Sequence, residues 1–234
     1  MSLRRRLADA LLPRRNCPLC GWRGFEFQPV GHSITRRKAR CPICQSVDRH
    51  RAAFLLLRNR ISPEQKVLHF APERALIPWL VSLSAEYVTA DLYQPAMRKI
   101  DITNVALPDA SQTLVWCSHV LDLIADDKRA LSELFRVLAP GGLLVLQVTI
   151  GGEITDEDPS VTSKEGRLKR FLHEDHVRLY GLDLRQRITD HGFTCEVLSS
   201  ASLPRPEQTL YSLKSPYFSY LFLARKQDLP QSRN

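Results

Sequence analysis

Three features of this sequence predict an α/β fold, with a mostly parallel sheet covered by helices on both faces and a small cysteine-rich module ahead of it. Apolar strand-like runs and amphipathic helical runs alternate from Lys66 onward, the pattern that builds a parallel sheet. "KVLHF" leads directly into a helical segment, and the acid Asp91 closes the next strand-like run, "YVTADL". That is the layout of a Rossmann-like nucleotide site. Two C-x2-C pairs stand near the N-terminus.

The cysteine pairs are Cys17 and Cys20 in "CPLCGWRG" and Cys41 and Cys44 in "CPICQS". Each C-x2-C turn aims two sulfurs at one point, and two such knuckles complete a tetrahedral thiolate site for zinc. Four thiolates leave no open position for water, so the expected role is structural and the module reads as a zinc ribbon. Disulfides are the competing reading, but the N-terminal run "MSLRRRLADALLPRR" is short in apolar residues and broken by Asp9, a poor export signal. The expected location is cytoplasmic, and no run is long and apolar enough for a transmembrane segment. Cys117 and Cys195 stand alone in apolar runs and read as core residues.

Charge is unevenly placed. Residues 1–60 hold 14 Lys and Arg against 3 acids, while the remainder holds 19 against 22. A basic block on a near-neutral body suggests an anionic partner, such as nucleic acid or a phosphorylated substrate; a solvated basic face is the plainer reading. Between the knuckles lie Arg36, Arg37, Lys38 and Arg40 beside His32. This tip could grip phosphates or frame the opening of a second domain. The expected division is a ribbon with a basic arm over 1–45, a linker helix over 46–63, the α/β domain over 64–226 and a tail over 227–234.

In the body, "KVLHF", "YVTADL", "TLVWCSHV" and "LLVLQVTI" read as buried strands, with "TCEVLSS" and "YFSYLFLARK" as a hairpin-like pair at an antiparallel edge. "VDRHRAAFLLLRNRI" reads as a lead-in helix packed on the sheet, "RALIPWLVSL" as a helix with an internal Pro78, and "DDKRALSELFRVL" as an amphipathic helix stopped by Pro140-Gly141-Gly142. "DLRQRITDHGF" reads as a helix with Asp183 as N-cap and Gly192 as its stop. Residues 151–175 read as irregular.

In such sheets ligands lie beyond the carboxyl ends of the strands. Asp91 there suits vicinal ribose hydroxyls; Asp101 suits an exocyclic amine, with Ile102 lining an adenine slot. The competing reading for each acid is a cap or a solvated loop charge.

"LPDASQTLVWCSHVLDLIAD" followed by "LSELFRVLAPGGLLVLQV" resembles the second half of a class I S-adenosylmethionine-dependent methyltransferase, and the resemblance spans about residues 64–198. It implies S-adenosylmethionine as cofactor, held by Phe70, Ala71, Pro72, Glu73, Asp91, Leu92, Asp101, Ile102, Ser118 and His119. The chain departs from the family where the glycine-rich first motif belongs, which here reads Ala71-Pro72-Glu73. A pyrophosphate would demand the close backbone approach of glycine. S-adenosylmethionine carries no phosphate, so one added methyl group is compatible with it, and Glu73 could face the ligand's ammonium group.

The stretch "FLHEDHVRLYG" places His173, His176, Arg178 and Tyr180 before the late helix. It reads as a lid over the reacting center that begins a helix, with His176 as base and Arg178 as anion-binding residue; His119 is the rival base. The expected activity is methyl transfer to a small or glycan-like acceptor. An RNA-modifying methyltransferase using the ribbon, and a non-catalytic module on the same scaffold, remain the alternatives.

Overall fold

The computed structural model describes residues 14–31, 36–213, 215 and 217–227. His32, the arm before Arg14 and the tail beyond Gln227 lie outside them. Two compact units emerge, and their boundaries are not collinear with the chain. Unit one comprises residues 1–61, 73–79 and 199–219; unit two comprises 62–72, 80–198 and 220–234.

Unit two is the sheet. Strands β5 (Gln65–Phe70), β6 (Ser84–Asp91), β7 (Arg98–Lys99), β8 (Gln112–Ser118), β9 (Leu138–Gln147), β13 (Phe193–Ser199) and β14 (Tyr220–Lys226) form one seven-stranded sheet. Its order is β13-β14-β9-β8-β5-β6-β7, with β14 antiparallel to β9 and β5 parallel to both β6 and β8. The Rossmann-like, mostly parallel sheet is thus as predicted. The final pair does form one edge, but the last strand inserts between β9 and β13, so the earlier strand is outermost. From β5 the chain first builds outward to β6 and β7, then crosses to β8 on the other side. The topological switch point therefore falls between β5 and β8.

Hydrophobic burial explains the order. In β8 every residue except Thr113 is buried, and β9 is buried continuously from Leu143 to Gln147, as central strands covered on both faces must be. Helix α3 (Asp127–Val137) covers one face through Ala130, Leu131, Leu134 and Val137, and the Asp126 side chain caps it by accepting from the Arg129 N–H. Pro140-Gly141-Gly142 does more than stop this helix, because β9 already begins at Leu138. Gln112 pairs Leu138 and Leu114 pairs Leu143, so the motif is a bulge in β9. Gly141 sits at φ +73°, and a Cβ on Gly142 would lie 2.8 Å from the Ala139 carbonyl oxygen.

Other expectations shift. Helix α2 spans Ile77–Ser82, which puts Pro78 in the first turn, where a missing N–H costs no bond. Residues 151–175 are not irregular: β10 (Ile150–Gly152) and β11 (Asp156–Glu157) flank β12 (Arg178–Gly181) in a small sheet, and α4 spans Lys164–Phe171. The helix start expected at His176–Arg178 is not formed: His176 lies in a loop and Arg178 opens β12. Helix α5 (Leu184–Thr189) lacks a side-chain cap; the Asp183 carboxylate instead accepts from the N–H and hydroxyl of Thr155, at 2.9 and 2.6 Å.

Unit one holds two short hairpins, β1 (Arg15–Asn16) with β2 (Arg23–Gly24) and β3 (Gln28–Val30) with β4 (Arg36–Arg40), followed by α1 (Asp48–Leu57) and, later, α6 (Arg205–Leu210). Helix α1, expected on the sheet, packs Ala52 and Leu55 with Leu213 in this unit. Arg51 is fully buried and satisfied. It donates to the carbonyls of Ala39 (2.8 Å), Ser46 (2.9 Å) and Tyr211 (2.8 Å), and its guanidinium lies 3.9 Å from the Phe27 ring center. No helix among the described residues is long and apolar enough to cross a membrane.

Candidate active site and cysteine cluster

The cysteine cluster is built from two matching turns. Cys17 N–H bonds the Trp22 carbonyl and Gly21 N–H returns to Cys17; Cys41 N–H bonds the Ser46 carbonyl and Gln45 N–H returns to Cys41. Gly21 and Gln45 both take left-handed φ, +71° and +63°, at equivalent places. The four sulfurs lie within 4.8 Å of one another, with Cys17–Cys44 at 3.6 Å and Cys20–Cys41 at 3.7 Å. Tetrahedral Zn–S bonds of ~2.3 Å would separate sulfurs by about 3.8 Å, so the donor set and spacing fit that ion. The cluster is already polarized: hydrogen bonds from Cys17 and Cys41 hold the Cys44 thiol low, while Cys41 is pushed up by the bond to Cys17, and burial raises Cys20 to about 11.

At the carboxyl ends of the sheet strands, the altered first motif resolves. Ala71 adopts φ +46°, the conformation a glycine would take, and its N–H bonds the Ala90 carbonyl at 2.9 Å. Left-handed backbone costs a non-glycine residue about 1–2 kcal/mol, so the tight turn persists at that cost. Phe70 is core, and Pro72 is half-buried. Glu73 belongs to unit one, where its Oε1 accepts from Arg49 (3.2 and 3.1 Å) and lies 2.8 Å from His50 Nε2. That oxygen is thus engaged within the chain and not by a ligand.

Asp91 ends β6 with Oδ1 accepting from the N–H groups of Tyr93 and Gln94, both at 2.7 Å. Its second oxygen has no hydrogen bond among the described residues, and Leu92 beside it is half-buried. Asp101 Oδ1 accepts from Thr103 N–H and hydroxyl, both at 2.8 Å, while Ile102 is buried in the core of unit two. The "ELFR" motif acts on this loop. Glu133 accepts from Val105 N–H at 2.8 Å, and Arg136 donates to the carbonyls of Val105 (2.7 Å) and Leu107 (2.9 Å).

The late polar stretch separates into two groups. His176 is buried and its Nδ1 lies 3.0 Å from the Phe171 carbonyl, so the neutral ring carries its proton there. Burial pushes its pKa down, opposed by the nearby Asp122 carboxylate. His173 stacks on it at 4.8 Å, and His119 Nδ1 lies 3.6 Å from Asp122 Oδ2. Ser118 is buried at the end of β8. Arg178, by contrast, is committed inward: Nε to Glu157 (2.9 Å), Nη1 to the Ile124 carbonyl (2.6 Å) and Tyr180 hydroxyl (3.2 Å), and Nη2 to the Ala125 carbonyl (2.8 Å). His176 and Arg178, expected as partners, face different tasks because His176 precedes β12 and bonds the Phe171 carbonyl, while Arg178 opens β12 and bonds the Ile124 and Ala125 carbonyls.

Sequence reasoning missed Asp122 and Gln147. Both are buried, and Asp122 Oδ2 and Gln147 Oε1 have no hydrogen-bond partner among the described residues. The only linear signal was the i,i+3 spacing of His119 and Asp122.

Residues 68–146 match the family model described as a methyltransferase domain. A search of curated proteins finds no match. Among solved structures, similarity extends to a chain from the complex of the Haloferax volcanii Trm112 methyltransferase activator with a methyltransferase, at 16% identity and TM-score 0.54, covering 77% of this chain and 92% of that one. It extends also to the Burkholderia thailandensis 1,6-didemethyltoxoflavin-N1-methyltransferase, solved with 1,6-didemethyltoxoflavin and S-adenosylhomocysteine, at 16% identity and TM-score 0.53, covering 77% and 79%. The [4+2]-cyclase SpnF is similar at 16% identity and TM-score 0.53, covering 82% and 85%, so at this identity the likeness speaks for the fold. The family match runs from β5 to β9, so this central part of the sheet is similar to a methyltransferase domain in sequence as well as in strand order.

Proposed function

We propose that this chain methylates a hydroxyl or amino group of a small or glycan-like acceptor. Asp91 carries the reading: one carboxylate oxygen builds the turn after β6 and the other is left for ribose hydroxyls. Phe70, Ala71, Pro72 and Leu92 supply the remaining wall, with Asp101, Ile102 and Ser118 on the adenine and sulfonium sides. S-adenosylmethionine supplies a methyl group on a positively charged sulfur, which needs no metal. His119 and His176 share the field of the Asp122 carboxylate, and one of the two receives a proton from the acceptor. Arg178, whose bonds run to the carbonyls of Ile124 and Ala125, holds the turn that carries Asp122.

Calorimetry tests the cofactor assignment. Asp91→Ala should weaken S-adenosylmethionine binding by about 1.5–3 kcal/mol, the scale of lost charge-assisted hydrogen bonds, and NAD should not bind wild type. Unchanged affinity in the variant would remove the ribose contact.

The four cysteines, in this reading, hold one structural zinc. Metal analysis of reduced protein should find one zinc per chain, lost in Cys41→Ser; reduced protein without zinc would end the assignment. A second reading, RNA as acceptor, draws on Arg14 stacked 5.0 Å over the exposed Phe25 in this basic unit. Salt-dependent binding of a single-stranded RNA would favor it.

A further inference from the structure

Asp122 is 0% exposed, yet only one of its oxygens is satisfied: Oδ1 accepts from Thr149 N–H at 3.0 Å, and Oδ2 has no hydrogen bond among the described residues. A buried carboxylate oxygen without a donor is costly and calls for an explanation. The group facing it is the His119 imidazole, with Nδ1 at 3.6 Å. That is beyond hydrogen-bond length, and such pairs often tighten only when substrate is present.

The backbone is shaped to make this encounter. His119 sits at φ +52°, in the left-handed region, and its N–H is tied to the Gln147 carbonyl at 2.8 Å. A single 3-10 turn, Leu121–Leu123, then brings Asp122 back beneath the ring. Val177 N–H bonds the Asp122 carbonyl at 3.0 Å, and Arg178 pins the next two carbonyls but one, at Ile124 and Ala125. The turn that carries Asp122 is thus held at three of its carbonyls. His119 is the more accessible member, with its side chain 18% exposed.

We propose that Asp122 is a positioning residue that holds the proton of neutral His119 on Nδ1, leaving Nε2 as the nitrogen that receives the acceptor's proton; this rests on the methyltransferase reading above. The acceptor's O–H or N–H bond breaks toward Nε2, its electron pair forms the new bond to the methyl carbon as the carbon–sulfur bond breaks with its pair going to sulfur, and the resulting imidazolium faces the Asp122 carboxylate. His176 is a neighbor in this arrangement and not the base, since it is buried while His119 is partly exposed. His173, stacked on it, is the other titratable group on that side.

The test needs neither cofactor nor acceptor. Long-range 1H–15N spectra of the intact protein at alkaline pH report which imidazole nitrogen carries the proton. Wild-type His119 should be in the Nδ1–H form, and Asp122→Asn should shift it toward Nε2–H, because an amide can donate where the carboxylate only accepts. The asparagine oxygen can still accept from Thr149, so an unchanged Thr149 amide signal would report an intact turn. An Nε2–H form in wild type, or a tautomer indifferent to Asp122→Asn, overturns the proposal. If the variant does not fold, the wild-type spectrum alone decides. Calorimetry separates the two levels: wild type that fails to bind S-adenosylmethionine overturns the methyltransferase reading, while the tautomer result stands on its own.

Discussion

Asp122 and Asp127 are both buried carboxylates at the same end of the sheet unit, and they are treated oppositely. Asp127 Oδ2 accepts from the Tyr180 hydroxyl at 2.9 Å and from Arg187 at 3.1 Å, with Arg178 at 3.6 Å. Glu157 completes the network, its carboxyl held low first by Arg187 and then by Arg178. Every charge there has a partner, and burial raises the Tyr180 hydroxyl well above its ordinary pKa, so it remains a donor. Asp122 has one backbone donor and an oxygen facing a histidine across a gap. A satisfied network fixes a shape, whereas an unsatisfied group stores interaction energy that a substrate or a proton can claim. Arg178 reads in sequence as part of the reacting site, but its bonds place it in the first class.

The largest effect expected from breaking this contrast is Arg178→Ala. It leaves Glu157 and Asp127 short of a buried partner and strips donors from two carbonyls, and should cost about 3–5 kcal/mol in urea unfolding. A loss below 1 kcal/mol would show that Arg187 suffices. Tyr180→Phe keeps the ring and removes the donor to Asp127, with an expected cost of roughly 1–2 kcal/mol by the same measurement. Asp122→Asn should be smaller still, within about 1 kcal/mol, since the amide keeps the Thr149 bond and relieves an unpartnered charge. A loss matching that of Arg178→Ala would mean Asp122 is as structural as Asp127.

The smallest expected effect is a pH slope. Burial pushes His176 below its ordinary pKa, so the folded state favors the neutral ring. As pH falls below the usual histidine value of about 6.5, the unfolded chain takes up this proton first. The stability contributed by the neutral ring is present above that value and lost as pH falls through the folded pKa. His176→Asn, which can still donate to the Phe171 carbonyl, should therefore flatten the acid side of the stability profile relative to wild type. His50, also pushed down by burial, stays in both proteins and cancels from the difference. Parallel profiles would mean His176 titrates as it does in water.

The elements that depend on local pattern were legible. Continuous apolar runs marked β5, β8 and β9, helical spacing marked α3, and two cysteine knuckles marked a four-sulfur cluster whose sulfurs do meet. Where the pattern was short or polar, sequence reading failed. Arg178–Gly181 carries no helix or strand period long enough to judge, and pairing with β10 and β11 made it a strand. Asp183 carries the chemistry of a cap, yet Thr155, distant in sequence, competed for its carboxylate and won.

By itself the sequence determined the chemistry available: thiolates at ligand spacing, an acid closing β6, and a first loop whose lost glycine a small alanine could replace. Burial and register decided how that chemistry is used. Only the folded chain could place Ala71 in a glycine's conformation, commit Glu73 to Arg49 and His50, and turn Asp122 under His119. The physical reason is that a side chain's role follows from which partners satisfy it, and those partners are brought together by the tertiary fold from sequence positions far apart.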